Sequence, residues 1–451
     1  MKMEFLHARN QLAVWIIMMW CAVSVTQAAD EAILVTTTQD SGPGSLRQAI
    51  LQAESTDDAD TIRFDTVEGP FGPPQTILLE SPLPPITGEL TIDGILKGFL
   101  WKAAGVTVSG NLRHRVFEVS PGARVTIGHI TVTGGLAEDG GGILNRGELT
   151  LEGLSLSENE ARAHGGAVAN IGGDLFVVNS TFWNNRADSG GALASDTDGQ
   201  LTVRNATFIE NAAQDGGAIR SEGPLLIANT LIVKSDSPFD CLADGPLSAD
   251  GGHNIIGSGK GCGDTMVEEV PRFFGPEYYN GPTRTLAVSA GSPTINLGDN
   301  ALAVNRQGER LTWDQRNNGD PRFAAGITDI GAFEYQRAAD LTVDTTEDTV
   351  LMACTKPRKD DCPLRSAMVL ANAREEESTI LFYERSLKPG DILNITRPLP
   401  AIMVPLIIDG SAVPDLKLTG TGEWPLFECG PGGSLTIKNL ELPEDAVASC
   451  S

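Results

Sequence analysis

The chain has 451 residues, of which 41% are hydrophobic, 20% charged and only 6% aromatic, with 50 glycines and 26 prolines. That apolar content is too high for a wholly disordered chain, the glycines lack collagen's three-residue period, and a mean hydropathy of -0.07 excludes a multi-span membrane protein. Lys+Arg of 33 against Asp+Glu of 59 gives a net charge of -26, so no nucleic-acid partner is expected, because phosphate binding needs a basic surface.

The chain begins with a targeting pattern. Lys2 and Arg9 precede an apolar run from Leu12 to Val25, which closes on Thr26-Gln27-Ala28. A charged n-region, an h-region and a small-x-small site predict a signal peptide over 1–28, cut after Ala28 or Ala29. The run is shorter than the ~18 apolar residues a span requires, so no stable membrane insertion is expected. The protein is read as exported: secreted, periplasmic or on the cell surface. Cys21 falls inside the signal. Six cysteines remain, and an even number in an exported chain suggests disulfides. Sequence neighbours give the simplest pairing: Cys241–Cys262, Cys354–Cys362 and Cys429–Cys450. With no Cys-x-x-Cys pair and His at 5, bridges are preferred to zinc.

A cap comes next. Ser45-Leu46-Arg47-Gln48 reads as a capping box opening a short helix through Ala53. Strands are expected at Thr61–Phe64, Gln75–Leu79, Glu89–Asp93 and Val116–Val119.

Four segments then align in register. Asp139-Gly140-Gly141-Gly142-Ile143 is followed by His164-Gly165-Gly166-Ala167-Val168, Ser189-Gly190-Gly191-Ala192-Leu193 and Asp215-Gly216-Gly217-Ala218-Ile219; the starts are 25, 25 and 26 residues apart. Between them lie alternating pairs, Leu149/Leu151, Leu175/Val177, Leu201/Val203 and Leu225/Ile227. A third strand brings Leu156, Phe182 and Phe208, each with an asparagine three residues on: Asn159, Asn185 and Asn211. Each repeat thus carries three short period-2 strands and no helix signal. One coil cannot bury its inward side chains, but coils stacked about 4.8 Å apart can. Like residues then stack on like, and the asparagines form a ladder of amides at an internal turn. The expected fold is all-β, a right-handed parallel β-helix of three-strand coils with short α-helical caps. Propeller blades are rejected because they need about 40 residues and four strands per repeat.

These motifs resemble known families. Gly165-Gly166-Ala167-Val168, Gly190-Gly191-Ala192-Leu193 and Gly216-Gly217-Ala218-Ile219, with Phe182-x-x-Asn185 and Phe208-x-x-Asn211, resemble the two halves of the polymorphic outer-membrane protein repeat. The first repeat departs from it, with Leu156 in place of Phe. Asn280-Gly281-Pro282-Thr283, Ala290-Gly291-Ser292-Pro293, Asp314-Gln315-Arg316 and Asp329-Ile330-Gly331-Ala332-Phe333-Glu334 resemble the end of choice-of-anchor Q β-helix proteins. These resemblances, of a pectin lyase-like fold, imply a surface or secreted β-helix, with adhesins among its kind.

The cap order recurs near the C-terminus. Pro363-Leu364-Arg365-Ser366 matches Ser45-Leu46-Arg47-Gln48, with Pro363 at a first helical position where its missing N–H costs nothing. Leu399-Pro400-Ala401-Ile402 through Asp409-Gly410 echoes Leu83-Pro84-Pro85-Ile86 through Asp93-Gly94. Both helices resemble the CSLREA motif. The expected organisation is a signal peptide over 1–28, a parallel β-helix domain with its cap over 30–335, and a partial second β-helix over 340–451. That partial unit is expected to leave an open strand edge that docks on the first β-helix or drives self-association.

Candidate chemistry is sparse. Asp139, His164 and Ser189 hold one repeat position in three successive coils, an order that suits an Asp-His-Ser relay with the Gly190 and Gly191 amides as oxyanion donors. The competing reading is that any polar residue serves before a Gly-Gly bend, as Asp215 does. Asp196 and Asp198, near Arg204, are a calcium candidate or simple turn formers. No other cofactor is suggested. Arg47 and Arg365 recur in both caps, which favours structural pairing over catalysis. The reading adopted is an exported, non-catalytic β-helix for surface contact or adhesion, with a glycan or surface protein as partner. Its rivals are a polysaccharide lyase or a glycoside or ester hydrolase on a β-helix, and a truncated fragment of a larger surface protein.

Overall fold

The protein is seen in a computed structural model that describes residues 32–56, 58–65, 75–95, 105–263, 271, 273–279, 281–288, 292–317, 320–323, 326–335, 341–349, 362–374, 377–421, 424–443, 446–448 and 450. The 1–28 signal expectation and Cys354 lie outside them.

It is a right-handed parallel β-helix. The coil path visits three sheets in turn. Sheet I runs along Phe117–Val119, Ile143–Asn145, Val168–Asn170, Leu193–Ser195, Ile219–Ser221, Cys241–Ala243 and Gly259–Lys260. Sheet II holds eight strands, from Ile33–Val35 through Glu148–Glu152, Asp174–Val178 and Gln200–Arg204 to Leu225–Ala228. Sheet III also holds eight, from Gln75–Leu78 through Ser155–Ser157, Thr181–Trp183 and Thr207–Ile209 to Ile255–Ile256. All pairings within these three sheets are parallel and in register, so Leu149, Leu175, Leu201 and Leu225 form one interior column. Phe182 lies flat on Phe208, with ring centroids 4.5 Å apart and planes 8° from parallel. Offset aromatic stacking of this kind adds roughly 0.5–1.5 kcal/mol beyond area burial.

The Gly-Gly pairs have a steric cause. Gly165 has φ +63°, and a Cβ there would sit 2.1 Å from the Val168 carbonyl oxygen. At Gly166 a Cβ would sit 2.2 Å from the Gly191 carbonyl oxygen of the next coil. The first glycine supplies the left-handed bend and the second lets adjacent coils approach.

Asn185 Oδ1 accepts from Asn159 Nδ2 at 3.0 Å and from the Asn159 amide at 3.1 Å. Asn185 Nδ2 donates to Asn211 Oδ1 at 3.0 Å and to the Leu156 carbonyl at 2.9 Å. All three asparagines are buried. A second polar column runs through sheet I, where Asn145 Nδ2 donates to Asn170 Oδ1 at 2.7 Å and Asn170 Nδ2 to Ser195 Oγ at 3.0 Å.

Helix α1, Leu46–Ala53, closes the N-terminal end with Leu46, Ala49, Ile50 and Ala53 inward. Its N-cap Ser45 accepts from the Gln48 amide at 3.2 Å. Helix α2, Leu364–Arg374, heads the C-terminal coils, whose parallel sheet contains Leu341–Val343, Ser378–Phe382, Pro405–Asp409 and Ser434–Lys438. The two caps share a clamp. Arg47 pairs with Asp40 at 2.6 Å and donates to the Ser81 and Pro82 carbonyls. Arg365 pairs with Asp348 at 2.7 Å and donates to the Arg397 and Pro398 carbonyls.

Among the described residues, the three parallel sheets end at Gly259–Lys260. The described residues between 273 and 335 instead form an irregular strap, in which Phe273–Glu277 pairs antiparallel with Thr285–Val288 and single antiparallel bridges join Val304 to Arg310 and Trp313 to Pro321. The strap lies along the turns between sheets II and III. Gln315 Nε2 donates to the Leu154 carbonyl, Thr283 Oγ1 to the Gly153 carbonyl and Asn179 Nδ2 to the Trp313 carbonyl. One apolar cluster joins Tyr279, Ala287, Val288 and Phe333 of the strap to the interior of the C-terminal coils. Cys241–Cys262 and Cys429–Cys450 are disulfides, as the sequence spacing suggested, and they fit an oxidising compartment. Among the described residues, no helix is long and apolar enough to cross a membrane.

Candidate functional site

The register brings Asp139, His164, Ser189 and Asp215 into one column on successive coils. His164 is exposed, while Asp139 and Ser189 are half-buried. Among the described residues, no hydrogen bond or ion pair joins the side chains of Asp139, His164 and Ser189. The amides proposed as oxyanion donors are engaged in coil stacking: Gly190 donates to the Asp215 carbonyl at 2.9 Å and Gly191 to the Gly216 carbonyl at 3.3 Å. Oxyanion donation by these amides would have to break the ladder that holds the column in register.

Asp196 Oδ1 accepts from the Gly172 amide at 2.9 Å, and its carbonyl accepts from the Gly199 amide at 3.2 Å. Asp196 thus closes a turn and ties it to the coil before. Arg204 donates to the Leu302 carbonyl of the strap at 2.9 Å. Among the described residues, no three His, Cys, Asp or Glu side chains are gathered to hold a metal.

The neighbouring columns form a groove instead. Between the asparagine ladder and the Gly-Gly bend, each coil exposes a short extended segment. Glu160, Arg186, Ala212 and Asp236 are bridged in register across four coils. Beside them Ala161 and Ala187 are buried and make a narrow floor. Arg162, Asp188 and Gln214 stand on the far side, with Gln214 Nε2 donating to Asp188 Oδ1 at 3.3 Å. These walls enclose about 480 Å³. Glu160, Arg162, Arg186, Asp188 and Asp236 are all exposed. Among the described residues, no ion pair or side-chain hydrogen bond engages the guanidinium of Arg162 or Arg186. The sequence reading passed over this groove. The residue after each ladder asparagine is Glu160, Arg186 or Ala212, and the third after it is Arg162, Asp188 or Gln214, so neither charge nor sign repeats from coil to coil.

The strap carries a second polar concentration. Asp314, Arg316, Asp320, Arg322, Asp329 and Glu334 are all buried. Arg316 pairs with Asp314 at 2.6 Å and Asp320 at 3.4 Å, and Arg322 with Glu334 at 3.2 Å. Four carboxyls face two guanidiniums, so the cluster is acid-rich. Burial pushes the carboxyls of Asp329 and Glu334 above their usual range, against the lowering effect of backbone N–H donors and Arg322. This cluster holds the strap's loops together and stands apart from the groove.

No protein-family model matches the chain, and no curated protein matches it. The repeat motifs therefore carry the fold, and the function has to be argued from the sites.

Proposed function

We propose that this chain is an exported, non-catalytic β-helix protein for surface contact or adhesion, with the four-coil groove as its binding face for a glycan or protein ligand. The observation that carries this is the groove. Its volume of about 480 Å³ lies within the roughly 300–1,000 Å³ of ordinary ligand sites. Glu160 is bridged to Arg186 on the next coil, and two guanidiniums, of Arg162 and Arg186, stand uncommitted on the groove walls. Guanidinium forks suit carboxylates and other oxygen acceptors, while the rigid coils set their spacing in advance.

Export is supported by the signal pattern over 1–28 and by the two disulfides. The resemblances to polymorphic outer-membrane protein, CSLREA and choice-of-anchor Q sequences point the same way. Binding is favoured over turnover because the Gly190 and Gly191 amides already serve the coil ladder. A second copy of the chain is also part of this reading. Leu435 and Ile437 on Ser434–Lys438 are only half-buried, and open strand edges recruit other strands.

The test is a turnover assay on the purified protein with polyuronates, aryl esters and aryl glycosides, beside Ser189→Ala. No product above the buffer rate is expected from either. Turnover by the wild type that Ser189→Ala abolishes would replace this reading with the hydrolase one.

A further inference from the structure

A separate cleft lies where the strap crosses the turns between sheets II and III. It is lined on the solenoid side by His129, Glu152, Gly153 and Asn179, and on the strap side by residues from Asn305 to Asn317. We propose that this cleft is a binding site for a single neutral pyranose ring, stacked on the Trp313 indole and hydrogen-bonded by Glu152 and Arg310. The proposal does not rest on the groove reading, since the two sites share no residue.

The floor is built and held still. His129 Nδ1 meets Asp93 Oδ1 at 3.0 Å, and its Nε2 meets Asn317 Nδ2 at 3.0 Å. The amide can only donate, so Nε2 accepts, and Nδ1 carries the proton toward Asp93. The carboxyl of Asp93 is held below the usual range: burial opposes this, but the hydrogen bonds from His129 and the Ile95 amide outweigh it. The ring rests on Gly153, where φ is +67° and a Cβ would come within 2.7 Å of the His129 ring. With both imidazole nitrogens engaged, the floor is a fixed polar surface.

The walls offer uncommitted groups. Trp313 is 40% exposed, although its carbonyl is fixed by Asn179 Nδ2 at 2.9 Å. An anchored backbone with an open indole is an amphipathic platform. The guanidinium of Arg310 lies over the Phe323 ring, 3.8 Å from its centroid. Among the described residues, no ion pair or side-chain hydrogen bond engages Arg310 or Glu152. Donors and an acceptor beside an exposed indole suit a ring with one apolar face and a rim of hydroxyls.

Size and charge narrow the class. The cleft encloses about 200 Å³, below the roughly 300 Å³ at which drug-sized ligand sites begin, so it takes one ring. Asp314 is neutralised by Arg316 at 2.6 Å. That leaves Glu152 and Glu309 against Arg310, which favours a neutral ring over a uronate.

Saturation-transfer NMR on the full chain, with methyl glycosides of glucose, galactose, mannose and N-acetylglucosamine beside galacturonate, tests this. At least one neutral glycoside is expected to receive saturation, with affinity falling at least tenfold in Trp313→Ala and severalfold in Glu152→Gln. The groove variant Arg162→Ala/Arg186→Ala is expected to keep the signal. No transfer to any neutral glycoside, tighter binding of galacturonate, or full retention in both Trp313→Ala and Glu152→Gln overturns the assignment. If Trp313→Ala fails to fold, Glu152→Gln decides alone, because it disturbs no bonded group.

Discussion

Replacing Asn185 by Leu removes the middle rung of the internal ladder. The change keeps the side chain's size but deletes one acceptor and two donors. The Asn159 amide, buried and 3.1 Å from Asn185 Oδ1, loses its acceptor. Asn159 Nδ2 keeps the Val132 carbonyl at 3.0 Å, and Asn211 Oδ1 keeps the Asn185 amide at 3.1 Å. The Leu156 carbonyl loses a donor at 2.9 Å. One orphaned buried donor costs on the order of 1–3 kcal/mol, and the weakened neighbours add to it. A loss of about 2–4 kcal/mol is expected. At roughly 2–4 °C per kcal/mol for a cooperative unit of 150–250 residues, the thermal midpoint drops by about 4–16 °C. Circular dichroism gives the midpoint, and hydrogen exchange at the Asn159 amide locates the damage. An unchanged midpoint with full protection of that amide would refute the internal ladder as a source of stability.

Three further outcomes are expected. Non-reducing peptide mapping of protein folded in an oxidising compartment joins Cys241 to Cys262, and Cys262→Ala lowers stability by about 2–4 kcal/mol; a free thiol at either position contradicts the pairing. Asp329 is raised to about 6 and Glu334 to about 8, so the folded state binds these protons more tightly than the unfolded chain does. Their contribution to stability is complete below the unfolded values near pH 4, and it is lost as pH rises through about 6 and then about 8. Thermal midpoints should therefore fall between pH 5 and 9, with a smaller total fall in Glu334→Gln; a midpoint that rises over this range reverses the sign. Sedimentation of the full chain should show concentration-dependent association that Leu435→Lys/Ile437→Lys weakens, and a strictly monomeric wild type counts against edge pairing.

The solenoid was legible because a coil repeat writes itself into the sequence. Leu149, Leu175 and Leu201 recur at fixed spacing because each sits on the one before, and the period of 25 or 26 residues is the contour length of one coil. The same logic made the cap duplication readable, since Arg47 and Arg365 each need a carboxylate and the two carbonyls of a proline turn. The strap was not legible as a strap. Its residues are spaced without a repeat, and their partners lie over a hundred residues back: Gln315 reaches Leu154 and Thr181, and Thr283 reaches Gly153. No local period encodes such contacts. Likewise, Asp139, His164 and Ser189 could be placed in one column from spacing alone. Which backbone amides were already spent, and that the adjoining columns open into a groove, depended on where the chain turns outward after each ladder asparagine.

Binding through the groove is tested most directly by probing a glycan and matrix-protein array with the purified protein and with Arg162→Ala/Arg186→Ala, side by side. The account predicts selective binding by the wild type, weakened at least tenfold in the double variant while its melting curve is unchanged. Equal binding by both proteins, or none by the wild type, would contradict it.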